Sequence, residues 1–147
     1  MKNNLPVILH AEDDPNDVLL LQQACRSANS SFRPESVEDG DQVISYLSGL
    51  DKYSDRLRYP LPVLVLLDLK MSRKTGFEVL EWIRSQPTLK RLPVIILTSS
   101  RHEGDVNWTY EHGANSYLVK PVGFDELIKM VKAIELYWLT LSEKPSL

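Results

Sequence analysis

Apolar and polar positions come in blocks along the chain. Leu5 to Ala11 (LPVILHA) is a short apolar run that stops at Glu12-Asp13-Asp14-Pro15. Asp14 is a good helix N-cap and Pro15 a good first helical residue. Val18, Leu19, Leu21, Ala24, Cys25 and Ala28 then recur at helical spacing. Residues 35–38 (ESVE) read as a weak strand; Gly40 turns the chain, and Val43, Ile44 and Leu47 mark a short helix. Val63 to Leu67 (VLVLL) is the clearest strand and ends at Asp68. Every residue in it is apolar, which predicts burial on both faces, as in a parallel sheet covered by helices.

A helix is expected from about Gly76, limited by Pro87, with Phe77, Val79, Leu80, Trp82 and Ile83 as its apolar residues. Phe77, Leu80 and Ile83 are three apart and are predicted to share one side. Pro93 to Leu97 (PVIIL) is a second buried strand, ending at Thr98-Ser99-Ser100. Residues 103–113 suit a helix closed by Gly113. Ser116 to Val119 (SYLV) is a short strand ending at Lys120-Pro121, and residues 124–141 suit a final helix. The sum is five βα units, which predicts a doubly wound α/β fold: a five-stranded parallel sheet with helices on both faces. One stretch breaks the rhythm. Residues 48–62 (SGLDKYSDRLRYPLP) are long for a connection inside a compact domain, and read either as a functional or mobile loop or as a tolerated surface insertion.

Composition narrows the class. The 147 residues fit one domain with its own core. At 43% hydrophobic and 25% charged, the chain is not disordered in general. A net charge of −3 gives no general reason to bind nucleic acid or an anionic membrane. The single cysteine, Cys25, excludes an internal disulfide and a cysteine-rich metal site. No run approaches the ~18 apolar residues of a membrane span, and residues 1–12 do not read as a signal peptide. A cytoplasmic location is the expectation.

Four strand runs end in residues able to do chemistry: Glu12 and Asp13, Asp68, Thr98, and Lys120. In an open parallel sheet these ends share one edge, where ligands bind. Three carboxylates, a hydroxyl and an ammonium should therefore converge. Three close carboxylates call for a hard divalent cation such as Mg²⁺. An ammonium and a hydroxyl suit the equatorial oxygens of a phosphoryl group. A carboxylate can itself be the nucleophile and form an aspartyl-phosphate, and Asp68 is the central candidate. Taken singly, each residue has a plainer role. The acids from Glu12 to Asp17 could favour a helix N-terminus, Asp68 could be a turn residue, Thr98 a cap, and Lys120 a solvated lysine. His10, His102 and His112 have no zinc-type spacing, so surface or packing roles are expected.

With these residues in place, the sequence resembles the receiver domain of two-component response regulators. The resemblance rests on ILHAEDDP (Glu12, Asp13), VLLDLKM (Asp68), Gly76, VIILTSS (Thr98), GANSYLVKP (Tyr117) and Lys120-Pro121, and covers residues 5–136. It implies a flavodoxin-like fold with strand order 2-1-3-4-5. It implies Mg²⁺, or Mn²⁺, held by Glu12, Asp13, Asp68 and the backbone carbonyl of Lys70. Asp68 would accept phosphoryl from a sensor histidine kinase, and Lys120 and Thr98 would contact that group. Thr98 and Tyr117 would move together and alter the face formed by the fourth helix, fifth strand and fifth helix. A cis Lys120-Pro121 bond is also implied. Such a chain is a signalling protein rather than an enzyme, although it can catalyse its own phosphoryl transfer and hydrolysis.

Three departures matter. Ser72 stands where the family often has proline, Glu12 replaces the commoner aspartate, and Lys70 puts an ammonium beside the site. The chain after Lys120 is too short for a helix-turn-helix module, so a stand-alone receiver without an effector domain is expected over residues 1–147, with a short C-terminal tail. The 48–62 segment and Asp68-Leu69-Lys70 resemble the small regulators that serve phytochrome-type histidine kinases. Along the last helix, Leu127, Val131, Ile134 and Trp138 form one stripe. Met130, Tyr137 and Leu141 widen it, and with Trp138 they form a candidate homodimer face. The alternative to a phosphorylation switch is an interaction module that keeps the fold without phosphorylation. A haloacid-dehalogenase-type phosphohydrolase needs a second Asp where Lys70 stands, and no P-loop, G-x-G-x-x-G or G-x-S-x-G is present.

Overall fold

The elements follow the alternation of the sequence. In this computed structural model, which describes residues 4–147, they are β1 (Val7–Ala11), α1 (Pro15–Ser27), β2 (Arg33–Val37), α2 (Gly40–Ser48), β3 (Leu64–Leu67) and α3 (Gly76–Ser85). Then come β4 (Val94–Thr98), α4 (Glu103–Glu111), β5 (Ser116–Val119) and α5 (Phe124–Ile134). All strand pairs are parallel, and the order is β2-β1-β3-β4-β5.

Side chains of a strand point alternately to the two faces, so the sheet divides the core. Leu9, Ala11, Val65, Leu67, Val94 and Ile96 pack with α2 and α3. Ile8, Leu64, Leu66, Ile95 and Leu97 pack with Leu21, Ala24 and Cys25 of α1 and Val131 and Ile134 of α5. The central strands β1, β3 and β4 are wholly buried, as their unbroken apolar runs predict. β2 begins earlier than predicted, at Arg33. Its polar sequence and Pro34 hide it because it is an edge strand, paired on one side only.

Helix ends are fixed by local chemistry. Asp14 caps α1 by accepting from the Asn16 N–H at 2.9 Å, with Pro15 in the first turn. Thr75 and Glu78 form a reciprocal capping box at the start of α3. In α3 the buried face is Gly76, Val79, Leu80 and Ile83, the i, i+3, i+4, i+7 pattern of two turns. Phe77, partly buried, packs against the same core cluster as Leu80 and Ile83 and meets the Trp108 ring edge-on at 5.0 Å.

The final helix also differs from expectation. Its α-helical part stops at Ile134, and Glu135–Leu141 continues as a wider π-helix. The Ser142 N–H donates five residues back, to Tyr137 O, at 2.7 Å. The wider turn lets consecutive Trp138 and Leu139 both pack on the core, while Leu136, Tyr137 and Leu141 stay exposed.

The 48–62 segment is packed. A 3-10 turn at Asp51–Ser54 buries Tyr53 between Tyr46 and Tyr59, with ring centroids 4.9 and 5.1 Å away. The Tyr46 hydroxyl donates to Pro60 O at 2.8 Å. Tyr46 is fully buried, and that burial pushes its phenol up to about 12.

Candidate functional site

The hydrogen-bond ladder runs one residue past several strand ends. The Glu12 N–H donates to Val37 O at 3.0 Å, the Asp68 N–H to Ala11 O at 3.1 Å, and the Lys120 N–H to Thr98 O at 2.8 Å. Three chemistry-bearing side chains thus hang from backbone still held in register. They continue the alternation of His10, Leu66 and Leu118, so they share the sheet face covered by α1 and α5. Thr98 continues Val94 and Ile96, and with Tyr117 belongs to the opposite face.

Glu12, Asp13 and Asp68 bring ligand oxygens within 4.8 Å of one another. Lys120 reaches across them. Its Nζ lies 2.6 Å from Glu12 Oε1, 2.7 Å from Asp17 Oδ2 and 3.1 Å from Asp68 Oδ2. Asp17, in the first turn of α1, is the third carboxylate in contact with that ammonium. Glu12 is 1% exposed, and burial pushes its carboxyl up to about 7, against the pull of Lys120 and with the help of the Asp68 charge. Burial also opposes the charge of Lys120. The contacts to Asp17 and Glu12 and the charge of Asp68 override it, and hold the ammonium charged well above the ordinary lysine range.

The Lys120–Pro121 bond is trans, as is every peptide bond among the described residues. This corrects the cis bond that the family resemblance implies. Trans is favoured by about 0.5–1 kcal/mol even before proline, and Lys120 makes all three carboxylate contacts from the trans backbone.

The site fits a divalent metal. Glu12 Oε1 is buried and touches Lys120 without an aligned hydrogen bond, so it keeps a free lone pair inside the acidic triad. Glu12, Asp13 and Asp68 supply the hard oxygen donors that such a cation takes. The Lys70 N–H donates to Asp68 Oδ1 at 3.3 Å and fixes the carboxylate from its loop side; the Lys70 side chain is exposed.

Asp68 is 5% exposed, and Thr98 is buried at the end of the adjacent strand. Tyr117 is not part of the acidic cluster. Its hydroxyl donates to Ser100 O at 2.9 Å, on the loop after Thr98, and its ring packs on the α3 side of the core. Met130, Tyr137, Trp138 and Leu141 lie apart from the site. Met130 and Trp138 pack on this chain's own core, and Tyr137 and Leu141 are more than half exposed.

The role of one site residue escaped the sequence reading. Asp17 was legible only as a helix-N-terminal acid, yet it is a direct partner of Lys120. The signal was its place in the first turn of α1, directly after the strand-end acids. His10 falls, as expected, to packing, but beside the site. It is 3% exposed, its Nδ1 has no partner, and burial with the Lys120 charge beyond it lowers it to about 4. It lines a small cavity with Glu12, Asp17 and Lys120 and is neutral at ordinary pH.

Comparison with known proteins agrees with this geometry. The family profile of the response regulator receiver domain matches residues 8–132. Response regulator Rcp1 of Synechocystis sp. is 37% identical over 140 residues, covering 95% of this chain and 93% of Rcp1. The crystal structure of the Mn(2+)-bound form of Rcp1 superposes with a TM-score of 0.84 over 96% of this chain and 99% of that one. The phosphorylated cyanobacterial phytochrome response regulator RcpA gives a TM-score of 0.87 at 35% identity, covering 97% of this chain and 99% of that one. Sheet order, strand-edge acids and sequence profile converge, and the chain belongs to the response regulator receiver family.

Proposed function

We propose that this chain is a phosphorylation-switched signalling protein that accepts a phosphoryl group on Asp68 from a phosphohistidine of a sensor histidine kinase. One observation carries the reading. Asp68 is a nearly buried carboxylate, held in the acidic triad and 3.1 Å from the Lys120 ammonium. Glu12, Asp13 and Asp68, with the Lys70 carbonyl, would hold Mg²⁺ or Mn²⁺, which neutralises charge developing on a phosphoryl group. Lys120 neutralises a further oxygen, and Thr98 supplies a hydroxyl from the next strand. Thr98 and Tyr117 lie on the same sheet face, which supports a switch read out through α4, β5 and α5. The resemblance to Rcp1 and RcpA favours a phytochrome-type kinase as donor, and hence a cytoplasmic setting.

Intact mass after incubation with Mg²⁺ and acetyl phosphate tests this reading. Wild type is expected to gain one phosphoryl group, and Asp68→Asn none. No gain in wild type, from acetyl phosphate or from a phosphohistidine donor, would favour the phosphorylation-independent interaction module. Lys70, whose side chain is exposed two residues after Asp68, is expected to alter phosphoryl lifetime; an equal dephosphorylation rate in Lys70→Ala would remove it from the mechanism.

A homodimer is a second element of the proposal. Leu136, Tyr137 and Leu141 are 57%, 54% and 65% exposed on the π-helical segment, an apolar surface suited to a second copy. Light scattering with and without phosphorylation tests it, and a monomer at high concentration in both states would defeat it.

A further inference from the structure

Lys120 is shared. Its ammonium lies against three carboxylates, Asp17 at 2.7 Å, Glu12 at 2.6 Å and Asp68 at 3.1 Å, and donates aligned hydrogen bonds to Asp17 and Asp68. Glu12 and Asp68 belong to the triad that fits a metal, whereas Asp17 does not. Asp17 comes from another element, the first turn of α1, and makes the shorter of the two aligned hydrogen bonds to Nζ. It is also the most solvent-accessible of the three, at 33% of its side chain against 1% and 7%. It therefore takes a large share of the ammonium without being tied to the acidic pocket.

This arrangement opposes phosphoryl transfer. In that step an Asp68 carboxylate oxygen bonds to phosphorus, and the phosphorus–oxygen bond of the donor breaks with its electron pair leaving on acetate. Charge spreads over the three equatorial oxygens meanwhile. Lys120 is the cation on the chain placed to meet one of them, and each donor held by Asp17 is withheld from that oxygen.

We propose that Asp17 is a positioning residue that competes with the phosphoryl group for Lys120, holding the ammonium toward α1 in the resting chain and slowing phosphorylation of Asp68. The proposal rests on Asp68 being the acceptor. It makes the resting site self-neutralised, with the first turn of α1 as part of the restraint.

The test compares initial rates of phosphorylation by acetyl phosphate at saturating Mg²⁺, read by intact mass, for wild type, Asp17→Asn, Asp17→Glu and Asp14→Asn. Asp14 is an exposed neighbour that caps α1 and does not contact Lys120, so its substitution controls for the loss of one negative charge nearby. Asp17→Asn is expected to react about two- to fivefold faster than wild type, the size of one partly exposed ion pair. Asp17→Glu should return toward the wild-type rate and Asp14→Asn should match it. A purely structural role for Asp17 predicts slowing, so an equal or lower rate in Asp17→Asn overturns the proposal. Equal acceleration in Asp14→Asn overturns it too, since the effect would then be general electrostatics. No phosphorylation of wild type defeats both this proposal and the functional reading, whereas phosphorylation of all four at one rate defeats this proposal alone.

Discussion

The Arg56 guanidinium donates to the Tyr46 carbonyl at 2.8 Å and so closes the last turn of α2 from outside the helix. The same fork reaches Leu47 O at 3.1 Å and Tyr59 O at 3.1 Å. Helix ends leave carbonyls without intrahelical partners, and here a side chain from the long connection supplies them. Arg56→Ala is expected to lower the unfolding free energy by about 2–3 kcal/mol, the scale of losing charge-assisted bonds to partly buried acceptors. Arg56→Lys should recover less than half, because a single ammonium nitrogen does not reproduce the two separated guanidinium nitrogens, Nη1 on Tyr46 O and Tyr59 O and Nη2 on Leu47 O. Urea denaturation measures both. Phosphorylation of Asp68 should proceed at the wild-type rate in both variants, since the clasp is remote from the strand ends that hold the acids.

Gly76 stands where the β3–α3 loop folds back on itself. A Cβ there would lie 2.1 Å from Asp68 O and 2.7 Å from Leu69 Cα, both backbone atoms. Neither can give way cheaply. Gly76→Ala is expected to cost about 1–3 kcal/mol by overpacking and, because the pressed carbonyl belongs to Asp68, to slow phosphorylation as well. The pair of readouts matters. Stability lost with the phosphorylation rate intact would show that the loop adapts without moving the carboxylate.

Cys25 gives a pH dependence on the alkaline side. Burial against the α1–α5 core raises its thiol from 9 to about 11. Between those values the native chain keeps a proton that the unfolded chain has released, so stability falls as pH rises through that window and is unaffected below it. The loss reaches about 3 kcal/mol at its upper end. Unfolding free energies from pH 8 to 11 should fall more steeply in wild type than in Cys25→Ala. Native Cys25 should also resist alkylation at pH 8, and labelling should appear only with unfolding.

Apolar periodicity carried most of the fold. VLVLL and PVIIL read as doubly buried strands, and the Asp14-Pro15 and Gly113 signals marked helix ends. RPESV was hard to read because an edge strand with a proline and three polar residues carries no burial signal. The packing of 48–62 was hidden for a different reason. Its two tyrosines, Tyr53 and Tyr59, cohere with Tyr46 of α2 through ring contacts between residues seven and six apart, a spacing that belongs to no regular element. At the site, strand ends located Glu12, Asp68, Thr98 and Lys120. The Asp17–Lys120 contact spans 103 positions, and it depends on how α1 leans over the sheet edge, which no local pattern encodes.

β5 is the one strand with no fully buried residue, and it is also an edge. Local opening costs least where apolar contacts are fewest. Native-state hydrogen exchange should therefore show a gradient across the sheet. Amides of β1, β3 and β4 should open only with the whole molecule, and those of Tyr117 and Leu118 at a lower free energy. Lys120 follows directly on this least protected strand, so the ammonium at the centre of the acidic site is carried by backbone that opens before the rest of the sheet.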